Sequence, residues 1–77
     1  MSELADQIKQ ILSGLFNVGA DTLSTSSSSE NVEGWDSMGQ LMVIVELEQQ
    51  FGLQISPEEG EGLTSVVRIE QFLKARM

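Results

Sequence analysis

The segment GWDSMG holds the side chains of this chain whose types and spacing are most suited to chemistry, because Asp36 and Ser37 stand side by side. A serine hydroxyl acts as a nucleophile only when a nearby base takes its proton, usually a histidine and sometimes a lysine. The chain contains no histidine, and its only lysines, Lys9 and Lys74, lie near its two ends. Catalysis by Ser37 is therefore disfavoured, and we expect no enzymatic activity from this chain.

Two other interpretations of the aspartate–serine pair stay open when the residues are considered alone. Asp36 is a good helix N-cap, since its carboxylate accepts hydrogen bonds from the free N–H groups of a first turn. Ser37 is also a suitable substrate for a modifying enzyme. A phosphate attached there would meet unpaired backbone N–H groups and the positive end of the helix dipole.

The first element that must support this segment is an amphipathic helix near the N-terminus. Ser2 is its expected N-cap, and the residues from Asn17 to Gly19 are expected to end it. Its apolar residues recur at helical spacing and form one stripe. They are Leu4, Ile8, Ile11, Leu12, Leu15 and Phe16.

Residues 20–35 form a long connection that includes the polar run STSSSSE. Such a length in a small domain indicates a segment that is either functional or mobile. We expect the tract from Ser24 to Ser29 to lack regular structure, because serine-rich sequence favours neither helix nor strand. Leu23, Val32 and Trp35 are expected to tie this loop to the core.

A second helix is predicted to start at Asp36 or Ser37, to run to about Phe51 and to stop at Gly52. Its apolar residues cover more than half of the circumference, which predicts a central helix that contacts neighbours on two sides. They are Met38, Leu41, Met42, Ile44, Val45, Leu47 and Phe51.

Two further helices are predicted after Gly52. Pro57 suits the first position of a very short helix capped by Ser56, and Thr64 or Ser65 caps a last helix. Since no alternating strand pattern appears, we predict an all-α bundle of three longer helices and one short helix in a single domain, residues 1–77. The expected core face of the last helix is Val66, Ile69, Phe72 and Leu73, with Lys74 and Arg76 near its end.

The composition excludes several classes of function. Twelve acidic and four basic residues give a net charge of −8, which disfavours binding to nucleic acid or to anionic lipid. The absence of cysteine excludes disulfides and, together with the absence of histidine, makes a zinc site unfavourable. The longest apolar run, Leu41 to Val45, is too short to span a bilayer, and the N-terminus lacks the pattern of a signal peptide. We expect a cytoplasmic monomer whose partners carry basic patches.

The stretch from Trp35 to Phe51, DSM followed by an apolar helix that ends in LEQQFG, closely resembles the signature of acyl carrier proteins. The chain length, the acidity, the long first loop, the short glutamate-rich helix and the LTSV that opens the last helix fit the same family. The resemblance implies that Ser37 carries a covalent 4′-phosphopantetheine arm, whose thiol holds acyl groups as thioesters. It also implies that Asp36 helps to place Ser37 for a phosphopantetheinyl transferase, which delivers the arm from coenzyme A with a divalent metal. Met38, at the family's leucine position, is expected to contact partner or arm.

The chain departs from the pattern of the fatty-acid carriers, which usually have acids two and five positions after the modified serine. Here Gly39 and Met42 occupy those positions. We therefore expect a specialised carrier whose docking relies more on apolar side chains. For Met42 the competing interpretation is core packing, and for Trp35 it is a loop anchor. The expected partner-binding residues are Trp35, Met42, Glu46 and Glu48.

The cargo is left open by the resemblance. DSMG is similar to the carriers of D-alanine, whereas PEEGEGLTSV is more similar to stand-alone carriers of polyketide, lipid or surface-polysaccharide clusters. Expected partners are acyl- or aminoacyl-loading and condensing enzymes of such pathways or of fatty-acid synthesis. In the family an acyl chain can slip between the helices, and the apolar residues from Leu41 to Val45 would allow this. The alternative from another class is an unmodified acidic helical domain that binds proteins.

Overall fold

The computed structural model describes residues 3–24 and 26–76 of the chain. The helices in this part are α1 (Glu3–Phe16), α2 (Ser37–Phe51), α3 (Pro57–Glu61) and α4 (Val66–Arg76). The predicted all-α bundle of three longer helices and one short helix is thus confirmed. No helix in these two ranges combines the length and the apolar character needed to cross a membrane.

Helix α1 forms the middle of the bundle. It packs against both α2 and α4, and the side chains of Ile8 and Leu12 are fully buried. The helix ends as predicted, since Asn17 adopts a left-handed conformation with φ 56°. The predicted N-cap, Ser2, lies outside the described residues.

Helix α2 begins and ends at residues that the sequence predicted as caps. Asp36 caps its N-terminus, and Gly52 ends it in the left-handed conformation with φ 63°. The buried side of α2 consists of Gly39, Val43 and Leu47, one turn apart from each other. This is narrower than the predicted apolar face, because much of α2 points away from the bundle.

Helices α3 and α4 start at the predicted caps. Ser56 and Glu59 form a reciprocal capping box at the start of α3, with Pro57 as the first helical residue. At α4 the cap is Ser65 rather than Thr64, since the Ser65 hydroxyl accepts a hydrogen bond from the N–H of Arg68 at 3.3 Å. The predicted core face of α4 is also confirmed: Val66, Ile69 and Leu73 are fully buried and Phe72 is half-buried.

The described part of the loop before α2 is attached to the bundle at several points. It begins with a 3₁₀ turn, Ala20–Thr22, that the sequence pattern did not predict. The described residues of the serine tract form no helix, as expected, but Ser28 pairs with Ser65 in an isolated antiparallel bridge. The predicted anchors are confirmed, because the side chains of Leu23, Val32 and Trp35 are all buried.

Candidate functional site

Ser37 is the first residue of α2, and its side chain is exposed to solvent, as the sequence predicted. The N–H groups of Ser37 and Met38 belong to the first helical turn, where helix geometry offers them no internal partner. An exposed hydroxyl therefore lies beside the positive end of a fifteen-residue helix.

Asp36 determines how this first turn is held. Its Oδ1 accepts a hydrogen bond from the N–H of Gly39 at 2.9 Å, and its backbone carbonyl accepts one from the N–H of Gln40 at 2.8 Å. These bonds fix the backbone on both sides of Ser37. The carboxylate thus positions the serine through the backbone and is itself exposed.

Gly39 lies where the first turn of α2 approaches the end of α1. A Cβ atom at this position would overlap the carbonyl oxygen of Gly34 and lie 2.8 Å from Cε1 of Phe16. No larger side chain fits without displacing one of these groups. This contact is a physical reason why the chain lacks an acid two positions after Ser37.

Trp35 is a core residue. Its ring is 2% exposed and stacks on Phe16 of α1, with the ring centroids 5.8 Å apart. The indole Nε1 donates a hydrogen bond to Oε1 of Gln40 at 2.6 Å. The expectation that Trp35 contacts a partner is therefore wrong for this conformation, because a buried ring offers no surface, and the loop-anchor interpretation describes the residue.

Gln40 is a site residue that sequence reasoning missed. Its Nε2 donates hydrogen bonds to the backbone carbonyls of Gly60, at 2.9 Å, and Leu63, at 2.8 Å. With the bond from Trp35, this one amide joins the start of α2 to α3 itself, at Gly60, and to the segment after α3, at Leu63. The available signal was a single amide between apolar residues of α2, but its partners are 20 and 23 residues away in the chain.

One side of α2 is apolar and faces solvent. We call Met38, Leu41, Met42 and Val45 the outer face of α2; their exposed fractions are 71%, 67%, 45% and 50%. Their spacing places them on one side of the helix, directly after Ser37. Core packing of Met42 is therefore excluded, and Leu41 and Val45 join the candidate docking residues.

Glu46 and Glu48, the predicted acidic docking residues, do not belong to the outer face. Glu46 borders the cleft between α1 and α2 and accepts a hydrogen bond from Gln50. Glu48 accepts one from the backbone N–H of Ile55 at 2.9 Å and so holds the segment after α2. Their contribution to partner binding stays a prediction.

Two depressions lie on the surface near Ser37. The first, which we call the Ser37 depression, has a volume of about 410 Å³ and is open to solvent. The second, the α2–α3 groove, has a volume of about 340 Å³ and a mainly apolar lining. The Ser37 depression is lined by Ser29, Trp35, Asp36, Ser37, Gln40, Glu61 and Thr64.

A comparison with protein families assigns the chain. The family described as "Phosphopantetheine attachment site" matches residues 6–73, which is most of the sequence. The chain belongs to this family. Its domains are sites of covalent 4′-phosphopantetheine attachment and are generally non-catalytic.

The surroundings of Ser37 fit the group that defines a phosphopantetheine attachment domain. A phosphodiester on the Ser37 oxygen would lie at the N-terminus of α2, where N–H groups and the helix dipole favour negative charge. The open Ser37 depression leaves space beside the hydroxyl for the start of a flexible arm. Neither feature requires a rearrangement of the bundle.

Proposed function

We propose that Ser37 is the attachment residue and that the protein presents acyl groups, carried as thioesters on its arm, to biosynthetic enzymes. The partner enzymes belong to fatty-acid, lipid, polyketide or surface-polysaccharide synthesis, and the protein works in the cytoplasm. The observation that carries the proposal is the exposed Ser37 hydroxyl at the first position of a capped helix, within a chain matched to the attachment family over residues 6–73.

In this proposal the residues of the chain orient Ser37 and bind partner enzymes, and none of them catalyses a reaction. Asp36 holds the first turn of α2, so that Ser37 is presented to the transferase in one backbone geometry. When attached, the arm supplies the thiol that this cysteine-free chain lacks.

The outer face of α2 supports docking that depends on apolar contact. Four large apolar side chains are exposed directly after Ser37, and two of them are methionines, whose flexible side chains adapt to different partner surfaces. The net charge of −8 favours basic residues around the partner's apolar patch and faster association at low salt. Met38 is the side chain of this face nearest in sequence to Ser37, and we propose that it contacts partner or arm.

The test is loading with coenzyme A, magnesium and a broad-specificity phosphopantetheinyl transferase, followed by intact-mass spectrometry. We expect one added phosphopantetheine on the wild-type chain and none on Ser37→Ala. Ser29→Ala is a matched control, because Ser29 lines the same depression, and this variant should load normally. Loading that persists in Ser37→Ala, or that is lost only in Ser29→Ala, would refute the assignment.

A second candidate function is an unmodified interaction domain, which the exposed outer face of α2 also favours. This candidate predicts an unchanged mass in the same assay and binding to partners that survives Ser37→Ala. Within the carrier class, D-alanine or another aminoacyl group is the alternative cargo. The protein that carries phosphopantetheine, which we call the armed protein, is incubated with an aminoacyl-loading enzyme and separately with a fatty-acyl-loading enzyme. The mass added in each reaction distinguishes these cargoes.

A further inference from the structure

The α2–α3 groove is a mainly apolar cavity close to the candidate attachment residue. Leu41 and Ile44 line one side and Ile55 and Pro57 the other. Gly60 forms part of its wall, where a Cβ atom would lie only 3.2 Å from Cδ1 of Ile44. The groove is therefore suited to a thin, flexible apolar chain.

The groove and the Ser37 depression share a border. Gln40 and Glu61 line both cavities, and Gln40 lies one turn after Ser37 on the side of α2 that faces this border. Its amide binds the carbonyls of Gly60 and Leu63, which stand on either side of Glu61 in the chain. The direct path from Ser37 into the groove thus crosses these two hydrogen bonds.

The Gln40 side chain is also held by Trp35. Its Oε1 accepts the hydrogen bond from Nε1 of Trp35, and the Trp35 ring is fixed by stacking on Phe16. If the amide swings away, three hydrogen bonds are lost together. The Leu63 carbonyl and the indole N–H then lose their side-chain partner, whereas the Gly60 carbonyl keeps the hydrogen bond from the N–H of Leu63. Leaving such groups unpaired is unfavourable, so the amide resists displacement.

We infer that Gln40 is a latch between the Ser37 depression and the α2–α3 groove, and that it sets the shortest acyl chain the groove admits. The inference rests on the proposed attachment at Ser37. A short or polar cargo stays outside, where partner enzymes reach it. A longer apolar chain gains enough by burial to displace the amide and enter.

The expected dependence on acyl-chain length follows from two opposing effects: breaking the hydrogen bonds of Gln40 disfavours entry, and burying methylene groups favours it. Three hydrogen bonds of ordinary net strength together disfavour the open latch by roughly a hundredfold. Each methylene group that leaves water favours burial by about fourfold. Removing the latch should therefore lower the threshold chain length by about three methylene groups.

The experiment uses the armed protein loaded with saturated acyl groups from butanoyl to dodecanoyl. Chain entry is measured by the ¹³C-methyl chemical shifts of Ile44 and Ile55, which line the groove, with core Ile8 and Ile69 as internal references. In wild type we expect the groove methyls to shift only above a threshold length. In Gln40→Met, which keeps the side-chain length without donors, we expect the same shift at a chain about three methylenes shorter.

Two further variants serve as comparisons. Gln40→Glu tests the same position with a different side chain, and Gln50→Met tests the same substitution elsewhere in α2. Gln40→Glu keeps an acceptor for Trp35 Nε1 but loses the donors to Gly60 and Leu63, so it should also lower the threshold. Gln50→Met changes a glutamine of α2 that bonds Glu46 in the same helix, so its threshold should equal that of wild type. If Gln40→Met does not fold, the Gln40→Glu comparison decides the question.

The possible failures are distinguishable. An unchanged mass after incubation with the transferase would refute both the attachment and the latch. A protein that takes the arm but shows one threshold in wild type and both Gln40 variants would refute the latch alone. A groove whose methyls never respond to any chain length would also refute it.

Discussion

Gly39→Ala is predicted to destabilise the fold, although replacing glycine by alanine in a helix ordinarily stabilises it. In an exposed helix interior, replacing glycine by alanine stabilises by about 1 kcal/mol, because the unfolded chain then has less backbone freedom to lose. At Gly39 the added methyl would overlap the Gly34 carbonyl and lie 2.8 Å from Phe16 Cε1. Gly34 cannot retreat freely, since the next residue, Trp35, is fixed in the core.

The net effect of Gly39→Ala is therefore a loss of stability. Overpacking of this kind typically costs about 1–3 kcal/mol, and a clash with backbone belongs at the upper end, about 3 kcal/mol. Subtracting the gain of about 1 kcal/mol from helix propensity leaves a net loss of about 2 kcal/mol. For a chain of this size, that lowers the melting temperature by roughly 10 °C.

The chain contains a matched control for this substitution. Gly14 lies on the exposed side of α1, and a Cβ atom added there would meet no other group within 4 Å. Gly14→Ala should therefore raise stability by up to about 1 kcal/mol. Both variants are compared with wild type by urea unfolding, followed by Trp35 fluorescence and by circular dichroism. A Gly39→Ala protein as stable as wild type, or a shift of both variants in the same direction, would show that the predicted clash does not exist.

Three other outcomes are expected. The capping N–H of Ser56, and then Arg76, lower the pKa of Glu59 below its ordinary value of 4.5. The carboxylate therefore stabilises the fold at neutral pH and loses that effect as pH falls through its folded pKa. Wild type should be more stable than Glu59→Gln at neutral pH, and the difference between the two should shrink as the pH is lowered; a difference that does not change with pH would contradict the assignment. Leu41→Ala, on the exposed outer face, should change the free energy of unfolding by less than about 0.5 kcal/mol. Leu47→Ala, at a fully buried position, should cost about 2–5 kcal/mol, and equal losses would place Leu41 in the core. Because the net charge is −8, sodium chloride or magnesium should raise the melting temperature at low ionic strength, and a flat salt series would remove self-repulsion as a factor.

Much of the fold was readable in the sequence because its signals act over three or four residues. Asp36 bonds the N–H three residues later, and Ser56 does the same at α3. Gly52 ends α2 by its own backbone conformation. The exposed Ser37 at a helix start follows from these local rules, and so does the resemblance of its segment to a carrier signature.

The covered and uncovered sides of α2 could not be read from the pattern of apolar residues. The pattern showed a wide apolar face, but only packing decides which part of it meets another helix. Val43 and Leu47 are buried on a helix that packs against α1, whereas Met38 and Leu41 remain in solvent. Because α3 has only five residues, it is too short to cover much of the remaining surface.

By itself, the sequence determined the helices, the caps of α2 and α3 and the serine presented at the start of α2, because each depends on neighbours along the chain. Tertiary structure decided that Trp35 is buried, that a side chain at Gly39 would clash and that Gln40 joins α2 to α3 and to the segment after it. The physical reason is distance along the chain. These three contacts unite residues of separate elements, and a hydrogen bond or a steric overlap between them exists only once the bundle has assembled.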